Sequence, residues 1–183
     1  MNLGMTNQND KITLAPMTRE LFHVLYRAFR FDPMLFTDME LYERVSARPF
    51  TPEEIEARFE GRFSREGTVT LAVMRDEEII GEVVIKHIDP VEKQCEFGIH
   101  LRDDSVKGRG FGTRAEILAI EYAFSELGME TVLADCIIKN TRSRHIIEKL
   151  GFEFTGEKDG FRYYRLEKNK WRSAYGIAGR DVI

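Results

Sequence analysis

The residues with the clearest chemical purpose are Lys107-Gly108-Arg109-Gly110-Phe111-Gly112-Thr113. Three glycines at alternate positions let a backbone turn tightly and aim several N–H groups at one point. A strand-like segment precedes them, and an amphipathic stretch from about Thr113 to Leu127 follows. That stretch reads as a helix, and its N-terminal dipole adds to the field of the loop. Lys107 and Arg109 contribute positive charge. The combination predicts a cradle for phosphate oxygens. A nucleoside triphosphatase loop needs Gly, four residues and then Gly-Lys-Ser/Thr, but Gly108 and Gly112 lead straight into Thr113. A dinucleotide fingerprint needs Gly-x-Gly-x-x-Gly after the first strand of a parallel unit. The spacing of Gly108, Gly110 and Gly112 does not supply it.

Glu96 is the candidate general base. It lies in an apolar, strand-like stretch, where a carboxylate either faces a cleft or pairs with a Lys or Arg on a neighbouring strand. Partly buried and with a raised pKa, it could take the proton of an attacking ammonium, directly or through water. His100, two residues on, shares its face in a regular strand and is a second titratable candidate. A bulge would break that alternation. His87 and His145 have weaker claims. Asn140 ends a strand and opens a helix, where its amide either caps the helix or bonds a ligand carbonyl. Cys95 and Cys136 sit in apolar segments without a second Cys or His at ligand spacing. They are expected as reduced, buried thiols that neither hold a metal nor act as nucleophiles.

The elements that must position these residues change period along the chain. Ile12–Ala15 reads as a strand stopped by Pro16. Thr18 caps a helix that carries Leu21, Phe22, Leu25, Ala28 and Phe29 and ends at Asp32-Pro33. Thr37-Asp38-Met39-Glu40 and Thr51-Pro52-Glu53-Glu54 are both read as capping boxes, each opening a helix, the second ending at Gly67. Thr68–Arg75, Ile79–Ile88 and Lys93–Leu101 read as an antiparallel meander turned at Asp76-Glu77-Glu78 and broken at Asp89-Pro90. After the helix that stops at Gly128, Thr131–Ile138 is a strand, Thr141–Leu150 a helix and Phe152–Lys158 a strand. Asp159-Gly160 signals a hairpin back into Phe161–Leu166. Residues 168–183 show no clear pattern, and residues 1–10 read as a frayed lead-in. The expected fold class is α+β in α/β/α layers, with a mainly antiparallel mixed sheet of about seven strands and flanking helices, forming a single domain over residues 1–183.

Lys107-x-x-Gly110-x-Gly112 resembles the Arg/Gln-x-x-Gly-x-Gly/Ala signature of the GCN5-related N-acetyltransferases. Two further blocks are similar to that family: Asn140-Thr141-Arg142-Ser143 with Ile147-Glu148-Lys149-Leu150-Gly151-Phe152, and Glu96-Phe97-Gly98-Ile99. The last is closest to the branch that acetylates the N-termini of ribosomal proteins. The resemblance covers roughly Ile12 to Leu166 in element order. It implies an acyltransferase that binds acetyl-CoA as its acyl donor, needs no metal, and works by direct attack of an amine in a ternary complex. It also implies that the amides of Lys107, Gly108, Arg109, Gly110, Phe111, Gly112 and Thr113 hold the pyrophosphate. The pantetheine arm would lie beside Ile99, His100 and Leu101 and meet Asn140. Many family members carry a Tyr seven residues after the Asn as general acid, and Ile147 stands there. The resemblance then points to Ser143 as the proton donor, and a thiolate titrating near ~8.5 needs little help in leaving. Loss of the Tyr also leaves open a catalytically inactive acyl-CoA-binding sensor of the same fold.

Of the 183 residues 43% are hydrophobic, enough to bury a core. No apolar run approaches the ~20 residues of a membrane span. The polar N-terminus lacks the basic and apolar regions of a signal peptide, so a cytoplasmic protein is expected. With 27 basic and 31 acidic residues well mixed and a net charge of −4, a nucleic-acid-binding face is not expected. Asp32, Asp38, Glu40 and Glu43 cluster near Phe31, Phe36 and Tyr42. They read as a solvated face, or as a steering surface for a cationic acceptor such as a peptide N-terminus, a polyamine or an aminoglycoside. A monomer or homodimer is expected.

Overall fold

The computed structural model describes residues 11–175, so the lead-in and the end of the tail lie outside the described residues. Its seven strands form one sheet in the order β1-β2-β3-β4-β5-β7-β6. They are β1 (Ile12–Pro16), β2 (Val69–Arg75), β3 (Glu78–Asp89), β4 (Gln94–Leu101), β5 (Thr131–Ile137), β6 (Glu153–Lys158) and β7 (Phe161–Glu167). The helices are α1 (Arg19–Ala28), α2 (Met39–Ser46), α3 (Pro52–Phe63), α4 (Phe111–Ser125), α5 (Thr141–Lys149) and α6 (Lys168–Tyr175). All neighbouring strands pair antiparallel except β4 and β5, which run parallel. The expected meander and the Asp159-Gly160 hairpin are both present.

Alternation along the strands builds two cores. Leu71, Val73, Val83, Ile85, Cys95 and Phe97 point to one face, where they meet Phe111, Ala115, Ala119, Ile120 and Phe124 of α4. Ala72 and Ile79 point to the other, where they meet Phe22, Leu25 and Tyr26 of α1 with Ile55 and Phe59 of α3. Each fully buried side chain of this kind contributes about 1.5–3 kcal/mol of transfer free energy. The small alanines of α4 let that helix sit close to the sheet, which fixes its first turn against the end of β4.

Several boundaries differ from the expectation for identifiable reasons. Asp38, not Thr37, caps α2, accepting from Glu40 N (2.9 Å) and Leu41 N (3.2 Å). A charged acceptor at the positive end of a helix outcompetes a hydroxyl. Thr18 and the Thr51–Glu54 box cap α1 and α3 as expected. The first helix ends at Ala28, ahead of Asp32-Pro33, because Pro33 opens a 3-10 turn of its own, Pro33–Leu35. The third ends at Phe63, before Gly67. Pro16 is the last residue of β1 and does not interrupt it, an edge strand where a missing N–H is tolerated. The segment without clear pattern contains α6, anchored by Trp171 at 1% exposure. One buried aromatic that donates its indole N–H to Glu121 decides a helix that periodicity did not announce.

Candidate active site

β4 and β5 pair only through Gln94–Thr131, Cys95–Val132 and Glu96–Leu133. Beyond these pairs Phe97–Leu101 stays bonded to β3, and Ala134–Ile137 stays bonded to β7. The sheet therefore splits into a slot whose inward-pointing backbone groups lack a strand partner. A cavity of about 230 Å³ fills it, walled by Phe97, Gly98, Ile99 and His100 on one side and Ala134, Asp135 and Cys136 on the other. Asn140 at the cap of α5, with Ser143 and Ile147 inside that helix, also lines it.

At its mouth lies the glycine loop. Gly108 (φ 73) and Gly110 (φ 78) hold left-handed conformations that side chains disfavour. α4 starts at Phe111, two residues earlier than expected, so Gly112 and Thr113 belong to its first turn. No side chain caps this helix. Its first internal bond runs from Arg114 N to Gly110 O (3.1 Å), which leaves the N–H groups of Phe111, Gly112 and Thr113 without helical acceptors. The arrangement suits an anion. Lys107 is less available than its sequence position suggests. Its side chain is 14% exposed, and its ammonium bonds Asp32 (2.7 Å) and Asp104 (3.0 Å). Burial works against ionisation of Asp32, but the Lys107 hydrogen bond and the Met34 N–H outweigh it and hold the carboxyl below its ordinary value. Exposed Arg109 flanks the loop, and exposed Arg142 from α5 lines the same depression as Lys107 and Gly108.

At the closed end Glu96 is an ion-paired carboxylate. It bonds Lys86 Nζ (2.6 Å) and His87 Nδ1 (3.2 Å). The bulge in β3 between Lys86 and Asp89, with His87 at φ 52, lets consecutive residues reach the same group. Of the two arrangements left open for Glu96, the cross-strand pair is the one observed. Burial raises its proton affinity, but Lys86 and a hydrogen bond from Asp135 lower it further, leaving the net value depressed. Burial and the Glu96 charge together push Asp135 up to about 6.

His100 faces a different partner. β4 is regular from Glu96 to Leu101, so the two residues share a face, and His100 pairs across from Glu82 of β3. Its Nδ1 lies 3.6 Å from Glu82 Oε1. Glu82 is 0% exposed and accepts from Tyr26 Oη (2.7 Å) and Arg62 Nη1 (3.3 Å). Burial opposes its charge, while His100, Arg62 and Tyr26 keep it ionised below the usual carboxylate range. The imidazole thus stands in the slot with a buried carboxylate behind it.

Most predicted site residues meet at the slot: Ile99, His100, Leu101, Lys107, Gly112, Asn140 and Ser143 line a single depression, and Gly108 an adjoining one. Asn140 also acts as the helix cap, accepting from Ser143 N (3.1 Å). Phe111 turns its ring into the core at 1% exposure, so only its backbone can serve a ligand. Cys95 and Cys136 are buried free thiols, and burial pushes Cys95 up to about 11. Sequence reasoning missed Glu82, Glu116, Asp135 and Arg142. Glu82 sits inside Ile79-Ile80-Gly81-Glu82-Val83-Val84-Ile85, the same signal that drew attention to Glu96. Glu116 falls on the buried stripe of α4 with Ala115, Ala119 and Ile120, a charged residue where the helical period demands an apolar one.

A mixed sheet split between two parallel strands, with an uncapped glycine-led helix at the mouth of the split, defines the fold of the acyl-CoA-dependent acetyltransferases. The chain belongs to the GNAT acetyltransferase family: the model of its acetyltransferase (GNAT) domain matches residues 11–153. Among curated relatives, a protein of Bacillus subtilis named as the ribosomal N-acetyltransferase YdaF is 27% identical over 113 residues, 56% of this chain and 61% of its own length. The spermidine N(1)-acetyltransferase of Escherichia coli K12 is 34% identical over 82 residues, 45% of this chain and 44% of its own length. The matches thus span less than two thirds of these relatives. Among solved structures, a Vibrio cholerae spermidine N-acetyltransferase chimera with a human segment has a TM-score of 0.71 at 17% identity, covering 88% of this chain and 98% of its own. A structure from T. thermophilus described as an acetyltransferase reaches 0.71 at 22% identity, covering 96% of each. At these identities the structures establish the fold.

Proposed function

We propose that this protein transfers the acetyl group of acetyl-CoA to a primary amine by direct attack within a ternary complex, in the cytoplasm. The observation that carries the proposal is the slot itself, which runs from an uncapped helix start to His100 with Glu82 behind it. The first-turn amides of α4, with Arg109 and Arg142, would hold the pyrophosphate, and the unpartnered backbone of Ile99–Leu101 would hold the arm. The thioester supplies an activated acyl carbon. His100 would accept the amine proton, since it lines the cavity while Glu96 lies behind Lys86 and Asp135. Glu82 would stabilise the imidazolium formed. The departing thiolate would take a proton through the Ser143 hydroxyl, which would recover one from solvent in the same step so that no alkoxide is left. Cys95 and Cys136, buried and with raised thiol pKa values, are poorly suited to a covalent intermediate.

The acceptor is proposed to be a cationic primary amine: a polyamine, a peptide N-terminus or an aminoglycoside. Exposed Glu40 and Glu43 of α2 supply attraction, and the linked rings of Phe31, Phe36 and Tyr42 beside them supply an apolar wall. Pairing of Glu96 with Lys86 favours a second reading, an acyl-CoA sensor without turnover. Calorimetric titration of acetyl-CoA and ATP on wild type and Gly110→Trp tests the first part. Acetyl-CoA but not ATP should bind, and the variant should lose binding. Thiol release with the three acceptor classes then separates enzyme from sensor: turnover with any of them, abolished in His100→Ala, supports catalysis. Failure of folded wild type to bind acetyl-CoA would overturn both readings.

A further inference from the structure

Glu116 is a carboxyl of the slot lining that the proposed reaction leaves unused, and its proton affinity, unlike that of Asp135, is raised with no contribution from a charged group among the described residues. It lies in α4 one turn after Gly112, which places it about 6 Å deeper than the first-turn amides. The residue is 3% exposed, and its Oε2 is fully buried without a hydrogen-bond partner among the described residues. It lines both the cavity that holds Phe97 and Ala134 and the neighbouring depression that holds Lys107 and Arg142. The residue therefore borders both spaces, the one at the anion-holding end and the one at the reacting end.

An unpartnered buried carboxyl is costly, and the helix around it is built from Ala115, Ala119 and Ile120, among which an aliphatic side chain would fit. We infer that Glu116 is a donor-binding residue, hydrogen-bonding an amide of the acyl donor's extended arm as that arm crosses the slot. The inference rests on the acetyl-CoA reading above. Burial alone pushes this carboxyl up to about 8, so near neutral pH it keeps its proton and presents one O–H donor together with acceptor lone pairs. An arm amide offers one complementary group at a time, its C=O to the acid O–H or its N–H to an acid oxygen. Ionised, the same group would set an unpaired negative charge inside the slot. Protonated, it adds no charge there.

The test compares Glu116→Gln, whose amide keeps a donor and an acceptor, with Glu116→Leu, which keeps neither. Three probes are titrated by calorimetry or displacement: acetyl-CoA, desulfo-CoA, and 3′-phosphoadenosine 5′-diphosphate, which carries the nucleotide without the arm. Glu116→Leu should weaken acetyl-CoA and desulfo-CoA by about tenfold or more, the cost of an unpaired amide in a closed slot. It should leave the arm-less nucleotide unchanged, and Glu116→Gln should bind all three within about threefold of wild type. Unchanged affinity for acetyl-CoA in a folded Glu116→Leu protein would overturn the inference while leaving the donor reading intact. So would equal weakening of all three probes, which would mark a distorted helix. Wild type that binds none of the CoA compounds would remove the donor reading and this inference with it.

Discussion

Replacing Glu116 by Gln should erase a specific part of the protein's stability profile against pH. The carboxyl's proton affinity is raised by burial from 4.5 to about 8. Below about pH 4.5 the native and unfolded chains both hold the proton, and folding is not penalised by charge. As pH rises, the unfolded chain releases its proton freely while the native chain retains it. Stability is therefore lost through this interval, and the loss levels off above about pH 8. The linkage relation gives about 3 kcal/mol between about pH 5 and about pH 7.5 for this group alone. For a chain of this size that corresponds to a difference of about 6–12 °C in Tm. The assay is denaturant unfolding of wild type and Glu116→Gln across that range, each variant referenced to its own value at the acid end. All other titrations are common to both proteins, so the difference isolates residue 116. The wild type should decline more steeply, with the gap widening toward neutral pH. Parallel profiles would refute the reasoning, because they would mean that the carboxyl ionises as easily folded as unfolded.

Gly81→Ala should destabilise the protein by about 1–3 kcal/mol and weaken donor binding, since an added Cβ would lie 2.5 Å from His100 O and force β4 away from β3. Unfolding and calorimetric titration measure both effects. His100→Ala should lower kcat by about 10²-fold or more with a much smaller change in acetyl-CoA affinity, whereas Glu96→Gln should cost less in kcat. Steady-state kinetics with a responsive acceptor decides the order. Glu82→Gln should cost about 1–3 kcal/mol because it leaves the half-buried Arg62 beside a neutral group, and it should lower kcat by removing the carboxylate behind His100. Lys107→Ala should weaken acetyl-CoA binding less than Arg142→Ala, because Asp32 and Asp104 already neutralise the Lys107 ammonium. Salt dependence of binding should fall in Arg142→Ala and stay nearly unchanged in Lys107→Ala.

The layout of the slot was legible to the extent that it is written in local chain chemistry. Glycines at 108, 110 and 112, Asn140 at a strand–helix junction and the Val/Ile-rich meander all depend on neighbours in sequence, and the structure places them together. What could not be read depends on pairing between distant segments. Whether Glu96 opens to the cavity or pairs with Lys86 is set by a bulge at His87, and nothing in the spacing of β3 announces that bulge. The fate of Lys107 hangs on Asp32, 75 residues earlier in the chain. Glu82 and Glu116 left a trace in the sequence, a carboxylate inside an apolar period. Each has a buried Oε2 without a hydrogen-bond partner among the described residues, and what separates them, the Tyr26, Arg62 and His100 that gather at Glu82 Oε1, belongs to tertiary structure.

The short seam between β4 and β5 has a mechanical meaning as well. Three register pairs join a four-stranded half, β1 to β4, to a three-stranded half, β5 to β7. Unpaired backbone is ordinarily a hazard at the rim of a sheet, where another chain can add to it. Here it lies inside the strand order, between β4 and β5, where a single extended chain could add to both sides. Whatever fills the gap bridges the halves along the length where they are otherwise separate. In the sheet itself the two halves share only this brief weld, although one core under α4 runs beneath both, and a bound chain would lengthen the weld. Occupancy is thus expressed as stiffness, and amides of Phe97–Leu101 and Ala134–Ile137 should report it by slower hydrogen exchange, even where no helix moves.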